Sequence, residues 1–577
     1  MSKNSNEKSP YASKIWLKSY DEHVKPEIDL ELMSLADMMK KTARQFPKSL
    51  CYDFQGDCKT FQEAEKLIIS FANFLVENGV KKGDRVVINL PNCPQYIIAL
   101  FGTFYAGCVQ SGMNFLLKSN EIAYQLKDSG AVALITMDSF YEENVREALS
   151  MGGTDVKIVI TTNIADTLDL EPEMKEKLIK IGKIPCGEVV PIEGIKFFTF
   201  KEILANYSSE KTPEIKIDPK KDIALLQYTG GTTGPPKGAI LTHENMISMM
   251  QLVYHWFEPV ANPGDDYYIS GFPFFHLAGL QFNLQTVYNA AAQILVANPR
   301  DTAYIANKMK EYEGKISLAY NVPTLYLMLL TNRKFKKLDF SSIKGFISGA
   351  APFATESINE FEGLVGKGKV LEAYGMTEAS PGVTMNPYLG EKKIGTVGVP
   401  LPNTEVKLVD VSDREKEVPI GKAGEIVIRG PQIFKGYWNK PEETRNALKE
   451  GWFYSGDVGV MDEDGYIRIV DRTKDMIIVS GYKVFSVEVD DKINKHPAIE
   501  LASTVGIPDP DRPGSEIVKL FVLLKEGYKD SEEIKVDILK FAEDNLAKYK
   551  VPRIIKILEQ MPLTSVGKVD KKVLRKM

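Results

Sequence analysis

Apolar positions along this chain fall into two textures. Over the first two-thirds, runs with helical spacing alternate with short β-rich runs. Thr60-Phe61-Gln62-Glu63 has the spacing of a reciprocal N-terminal cap, and Ala64, Leu67, Ile68, Phe71 and Leu75 follow at helical intervals. Gly79 supplies the stop. Strand-like runs at Arg85–Asn89, Val132–Met137 and Lys157–Thr161 come next, separated by further helical pattern. Such alternation predicts parallel sheet with helices packed on its faces. From Gly395 the texture changes: Glu405–Val409, Gly424–Arg429 and Gly465–Val470 are short strands with turn residues between them, which predicts antiparallel sheet or a small barrel. The charged island Asp471-Arg472-Thr473-Lys474-Asp475 then separates two apolar runs, and about a hundred residues remain beyond it. The expected fold is therefore α/β, with a large N-terminal domain (1–470) of parallel-sheet subdomains plus a small β-barrel-like subdomain. A small, mobile α+β C-terminal domain (471–577) follows, hinged at about 471–475.

Composition narrows the function classes. The chain has 577 residues, 44% of them hydrophobic and 26% charged, which excludes disorder or coiled coil as an overall description. Lys plus Arg is 72 against 77 for Asp plus Glu, so the basic excess of a nucleic-acid binder is missing. Five cysteines without a C-x-x-C pair fit neither a disulfide framework nor a zinc site, and a cytoplasmic location is expected. Met1–Ser13 lacks the apolar core of a signal peptide. The most membrane-like stretch, Tyr96–Val109, has fourteen residues and no charge; it is too short to span a bilayer and reads as a buried core helix. Peripheral attachment to the inner membrane face stays open, as does the choice between monomer and homodimer.

The strongest chemical signal is Tyr228-Thr229-Gly230-Gly231-Thr232-Thr233-Gly234-Pro235-Pro236-Lys237-Gly238, directly after the apolar run Ile223–Leu226. Gly-rich backbone can turn its N–H groups around an anion, the threonine hydroxyls add donors, and Lys237 adds a point charge. A phosphate cradle follows from that chemistry. It is not a Walker A loop, because Pro236 precedes the lysine and Gly238 follows it.

This segment resembles the phosphate-binding signature of the adenylate-forming (ANL) superfamily, which includes acyl-CoA synthetases, luciferases and peptide-synthetase adenylation domains. Six further motifs stand in the same order. Ser348-Gly349-Ala350-Ala351-Pro352 resembles the adenine-side loop, and Tyr374-Gly375-Met376-Thr377-Glu378 the adenine-stacking and metal motif. Gly424-Glu425 through Gly436-Tyr437-Trp438 resembles a structural strand motif, and Gly451–Asp457 the ribose motif. Asp471–Asp475 resembles the interdomain hinge, and Pro562–Lys568 the catalytic-lysine motif.

The resemblance implies a role for each residue. Thr229, Thr232, Thr233 and Gly234, with Lys237, would hold the β- and γ-phosphates of ATP. Gly349, Ala350, Ala351 and Tyr374 would line the adenine. Glu378 would bind Mg²⁺, Thr377 would contact the α-phosphate, and Asp457, reinforced by Arg472, would take the ribose hydroxyls. Lys568 would bridge the attacking carboxylate and the α-phosphate. His276, in Gly271-Phe272-Pro273-Phe274-Phe275-His276, sits where the family places an aromatic gate between nucleotide and acyl tunnel. The C-terminal domain would rotate about Lys474, presenting Lys568 for adenylation and the face near Gly481 for attack by coenzyme A. The family commonly has proline where Ser486 stands, which leaves the local backbone there undetermined.

Three features bear on the acid. Acetate-type relatives carry tryptophan where Gly375 stands, so glycine implies an open acyl pocket. Gly271–Phe282 contains no acidic residue to receive an amino-acid ammonium. The segments around Gly230, Glu378–Pro381 and Trp16–Tyr20 resemble long-chain fatty-acid–CoA ligases most closely. The implied reaction joins a medium- to long-chain fatty acid to coenzyme A, with ATP cleaved to AMP and pyrophosphate. An acyl-AMP ligase loading a carrier protein, a CoA ligase for an aryl or short acid, and a non-catalytic acyl or nucleotide sensor remain as alternatives.

Overall fold

The computed structural model describes residues 9–229, 235–480, 482–512, 515–563 and 569–577. Two large sheets dominate it. The first has seven strands, running in spatial order Lys196–Thr199, Ile158–Thr162, Ala131–Met137, Arg85–Asn89, Val109–Gly112, Ile223–Thr229 and Lys237–Thr242. Its pairings are parallel except for the closing hairpin of Ile223–Thr229 with Lys237–Thr242. The second has nine strands; it is parallel from Val370–Gly375 through Leu50–Phe54 and antiparallel at both edges.

The expected elements form for the expected reasons. Phe61–Glu77 is a helix with a true capping box: the Thr60 hydroxyl accepts from the Glu63 N–H, and the Glu63 carboxylate accepts from the Thr60 N–H. The uncharged stretch becomes the helix Pro94–Tyr105, whose twelve residues are all buried. It crosses Phe61–Glu77 closely at Gly102, where an added Cβ would lie 2.7 Å from Phe71 Cδ1 and 3.2 Å from the Ile68 carbonyl oxygen. One apolar core joins these helices to both sheets through Ile88, Leu225, Trp256 and Leu280, among others. Among the described residues, no helix is long and apolar enough to cross a membrane.

The later texture becomes a five-stranded antiparallel sheet built from Glu405–Val409, Ala423–Arg429, Leu448–Lys449, Trp452–Met461 and Ile467–Arg472. Beyond it stand the hairpin Ile477–Val479/Tyr482–Val484 and a mixed three-stranded sheet. The helices Ser486–Ile493, Glu532–Asn545 and Lys571–Lys576 accompany them. This segment has its own apolar core around Val489, Leu520, Val522 and Ile538.

One buried acid carries a pH signature. Glu372, on the strand Val370–Gly375, accepts from the Gly395 N–H at 3.0 Å, and burial pushes its carboxyl up to about 7. A raised carboxyl binds its proton more tightly in the folded chain, so stability falls as pH rises from the ordinary carboxyl value to about 7 and levels off above it. The effect vanishes below the ordinary carboxyl value, and the full span corresponds to about 3 kcal/mol. Glu372→Gln keeps the acceptor and removes the titration. Its melting temperature relative to the parent chain is expected to be higher at pH 8 than at pH 5; a gap that does not change with pH contradicts the assignment.

Candidate active site

The hairpin at the edge of the seven-stranded sheet brings in the candidate phosphate-side residues. Thr229 ends its strand opposite Lys237, with its hydroxyl donating to the Lys237 carbonyl at 3.4 Å. Thr232, Thr233 and Gly234 lie outside the described residues. The segment Phe434–Trp438 runs alongside this hairpin: Ile240 N–H donates to the Gly436 carbonyl, and Trp438 N–H to the Gly238 carbonyl. That places the Lys237 ammonium 5.0 Å over the Tyr437 ring.

Tyr437 in turn donates its hydroxyl to Glu378 Oε1 at 2.6 Å, and the Phe434 N–H donates to the Glu378 carbonyl. Lys237, Tyr437 and Glu378 thus form one chain from the strand Lys237–Thr242 to the candidate metal carboxylate. Burial pushes the Glu378 carboxyl up, while the Tyr437 hydroxyl works against that shift. Thr377 and Glu378 occupy a single 3₁₀ turn after the strand Val370–Gly375.

A second cluster forms where that strand meets the antiparallel sheet. Asp457 and Arg472 pair across adjacent strands, with Arg472 Nε 3.0 Å from Asp457 Oδ1. The Tyr374 hydroxyl donates to Asp457 Oδ2 at 2.8 Å. Burial and the Asp457 carboxylate push the Tyr374 phenol well up, so it stays a donor at neutral pH. The carboxylate also raises Arg472. A carboxylate has about four lone-pair directions, so two partners leave acceptor capacity for a diol. Gly349, Ala350 and Ala351 follow the strand Gly345–Ser348, and Ala350 takes a left-handed conformation at φ 66°.

The backbone around Gly375 adds a constraint of its own. An added Cβ there would lie 1.6 Å from the Pro381 carbonyl oxygen, so the glycine is required by its own neighbouring backbone. His276 caps the helix Leu277–Tyr288, its Nδ1 accepting from the Ala278 N–H at 3.3 Å. Its ring stacks 6.4 Å from Phe272, whose ring meets Tyr320 at 4.7 Å.

At the 471–475 segment, burial and the neighbouring Arg472 charge push the Lys474 ammonium down. Arg575 donates to the Lys474 carbonyl at 3.3 Å and pairs with Asp475 at 2.5 Å. Ser486 resolves the question left by the missing proline. Its N–H and its hydroxyl, the latter at 3.0 Å, both donate to the Asp471 carboxylate, and Lys571 donates to that hydroxyl at 2.7 Å. Proline could make neither bond. Gly481 and Lys568 lie outside the described residues.

A family model described as AMP-binding enzyme matches residues 39–438, and one described as AMP-binding enzyme C-terminal domain matches 488–568. The chain belongs to the AMP-binding enzyme family. Among curated relatives, a long-chain-fatty-acid–CoA ligase of Bacillus subtilis is 35% identical over 563 residues, covering 97% of each chain. The Escherichia coli protein of the same name is 34% identical over 97% of this chain and 98% of its own. Among solved structures, ATP-bound MatB from Rhodopseudomonas palustris superposes with a TM-score of 0.79 at 27% identity, over 94% of this chain and 99% of that one.

In this AMP-binding enzyme, Tyr437 is a site neighbour that motif reading placed only in a structural strand segment. Its signal was a phenol within Gly436-Tyr437-Trp438. The Glu378 carboxylate is an oxygen ligand of the kind a hard divalent cation takes. Among the described residues no group of three or more His, Cys, Asp or Glu ligands exists, so a cation here would draw its remaining ligands from phosphate and water, as Mg²⁺ commonly does.

Proposed function

We propose that this chain is an ATP-dependent, AMP-forming fatty-acyl–CoA ligase. The observation that carries the chemistry is a pair of clusters, Lys237–Tyr437–Glu378 and Tyr374–Asp457–Arg472. The near full-length similarity to proteins named long-chain-fatty-acid–CoA ligase supports the acyl class. In the first step a carboxylate oxygen attacks the α-phosphorus of ATP and pyrophosphate leaves, forming an acyl adenylate. In the second the CoA thiol attacks the acyl carbon, AMP leaves with the bridging oxygen, and the thiol proton passes to solvent.

Both first-step reactants are anionic, so positioned positive charge and donors supply most of the rate. Lys237, Thr229, Thr232, Thr233 and Gly234 hold the outer phosphates; Thr377 and Lys568 act at the α-phosphate. Glu378 holds Mg²⁺, which supplies charge neutralisation on the phosphate oxygens. Asp457 and Arg472 orient the ribose, and Tyr374 with Gly349–Ala351 packs against the base. His276 and its aromatic neighbours separate nucleotide from acyl chain. The segment beyond Asp471 acts as a mobile lid that turns about Lys474, with Gly481 facing the pantetheine chain in the thioester step.

The test is CoA-thiol consumption across straight-chain acids from acetate to stearate, with benzoate and an amino acid included. Highest kcat/KM on medium to long chains supports the reading, and a preference for benzoate or acetate contradicts it. For the hinge, Lys474→Ala is expected to leave single-turnover adenylate formation within about threefold of the parent while slowing overall thioester formation about tenfold or more. Unchanged overall turnover contradicts the hinge role.

A further inference from the structure

The segment Gly271–His276 is neither helix nor strand, yet its backbone polar groups are held from both sheets. From the nine-stranded sheet, Gly271 N–H donates to Asn321 Oδ1 and Phe272 N–H to Ser270 Oγ. The remaining partners come from the other side. Asn92 clasps the loop twice, its Nδ2 donating to the Phe272 carbonyl and its Oδ1 accepting from the Phe274 N–H, both at 2.8 Å. The Tyr96 hydroxyl donates to the Phe274 carbonyl at 3.0 Å and itself accepts from Gln110 Nε2 at 3.3 Å. Gln227 Nε2 donates to the Phe275 carbonyl at 2.6 Å. Asn92, Tyr96, Gln110 and Gln227 are all at most 4% exposed. Gly112 lets the backbones approach, since a Cβ there would lie 3.1 Å from the Phe275 carbonyl oxygen.

Gln227 has a further property. It lies on the strand Ile223–Thr229, two residues before Thr229, so both side chains project from the same face of the strand that enters the glycine-rich loop. One rigid strand therefore carries a phosphate-side residue and the donor that sets the carbonyl just before His276. We propose that Gln227 and Tyr96 are positioning residues for the acyl side of the site: they fix Phe274, Phe275 and His276 relative to the strand that carries Thr229. A carboxylate entering past His276 then meets the α-phosphate in register. Small misplacements of reacting groups are costly, and a loosened aromatic loop admits chains of different length more evenly. The inference rests on reading Gly271–His276 as the acyl gate.

The test uses Gln227→Met, which keeps side-chain length and removes the donor, and Tyr96→Phe, which keeps the ring 5.2 Å from Phe274 and removes only the hydroxyl. Steady-state kinetics with palmitate and butyrate, the KM for ATP and thermal melting are measured for each. The expected result is a fall of about tenfold in kcat/KM for palmitate, a palmitate-to-butyrate ratio moved at least about fivefold toward one, and an ATP KM within about twofold of the parent. An unchanged chain-length ratio, or acyl and ATP KM values rising together, overturns the proposal in favour of a purely structural network. If Gln227→Met does not fold, Tyr96→Phe decides by the same criteria. A parent enzyme inactive on every acid contradicts the ligase reading itself, and this assignment with it; an active parent whose variants keep its acyl profile contradicts this assignment alone.

Discussion

Glu378→Gln is expected to lower the rate of adenylate formation about 100-fold and to raise the Mg²⁺ concentration for half-maximal rate at least about tenfold. The substitution removes one charge and little else. Glutamine retains an oxygen that accepts the Tyr437 hydroxyl, now at 2.6 Å from Glu378, so the contact that seats the 3₁₀ turn survives. The Phe434 N–H donates to the backbone carbonyl of residue 378 and is untouched. Folding should therefore be preserved, and the loss should appear in kinetics. Mg²⁺ titration of pyrophosphate release measures it, with melting temperature as the control. An unchanged Mg²⁺ requirement places the cation elsewhere. Because burial already pushes the Glu378 carboxyl up, the parent enzyme should also lose Mg²⁺ affinity as pH falls, while the glutamine variant should not.

Lys568→Ala is expected to cost about 100- to 1000-fold in the first half-reaction and little in the second. The reason is electrostatic. A carboxylate approaching a triphosphate brings like charges together, and a lysine between the attacking oxygen and the α-phosphate offsets that repulsion where it is greatest. Thiol attack on a neutral acyl carbon has no such need. Pyrophosphate exchange reports the first step, and thiolysis of supplied acyl adenylate reports the second. Equal losses in both assays contradict the division of labour, as does undiminished exchange.

Local chemistry was legible in the sequence where it depends on neighbours along the chain. The Thr60–Glu63 cap, the buried helix Pro94–Tyr105 over most of the uncharged stretch and the strands at Arg85–Asn89 and Glu405–Val409 all follow from spacing within a few residues. Most site residues were nameable because glycine-rich and acidic motifs carry their chemistry in their own order. What escaped was contact across hundreds of positions. Leu50–Phe54 joins a sheet with Ala292–Leu295, a partner no local pattern announces. Tyr437 meets Glu378 only because Phe434–Trp438 runs beside the Lys237–Thr242 strand. Ser486 looked like a departure from pattern, and its two donors to Asp471 appear only once the chain folds back. Gly375 carries a further constraint that no motif announces, the Pro381 carbonyl beside it. Gln227 and Tyr96 carry no motif at all; their role is set by where their hydrogen bonds end.

The central claim is that a fatty-acid carboxylate attacks the α-phosphorus of ATP and that AMP later departs with the oxygen it gained. Palmitate labelled with ¹⁸O at both carboxyl oxygens tests this directly when incubated with the enzyme, ATP, Mg²⁺ and coenzyme A. The account predicts AMP carrying one ¹⁸O, unlabelled pyrophosphate and palmitoyl-CoA retaining the other ¹⁸O in its carbonyl. ADP with labelled inorganic phosphate, or AMP without label, would contradict it.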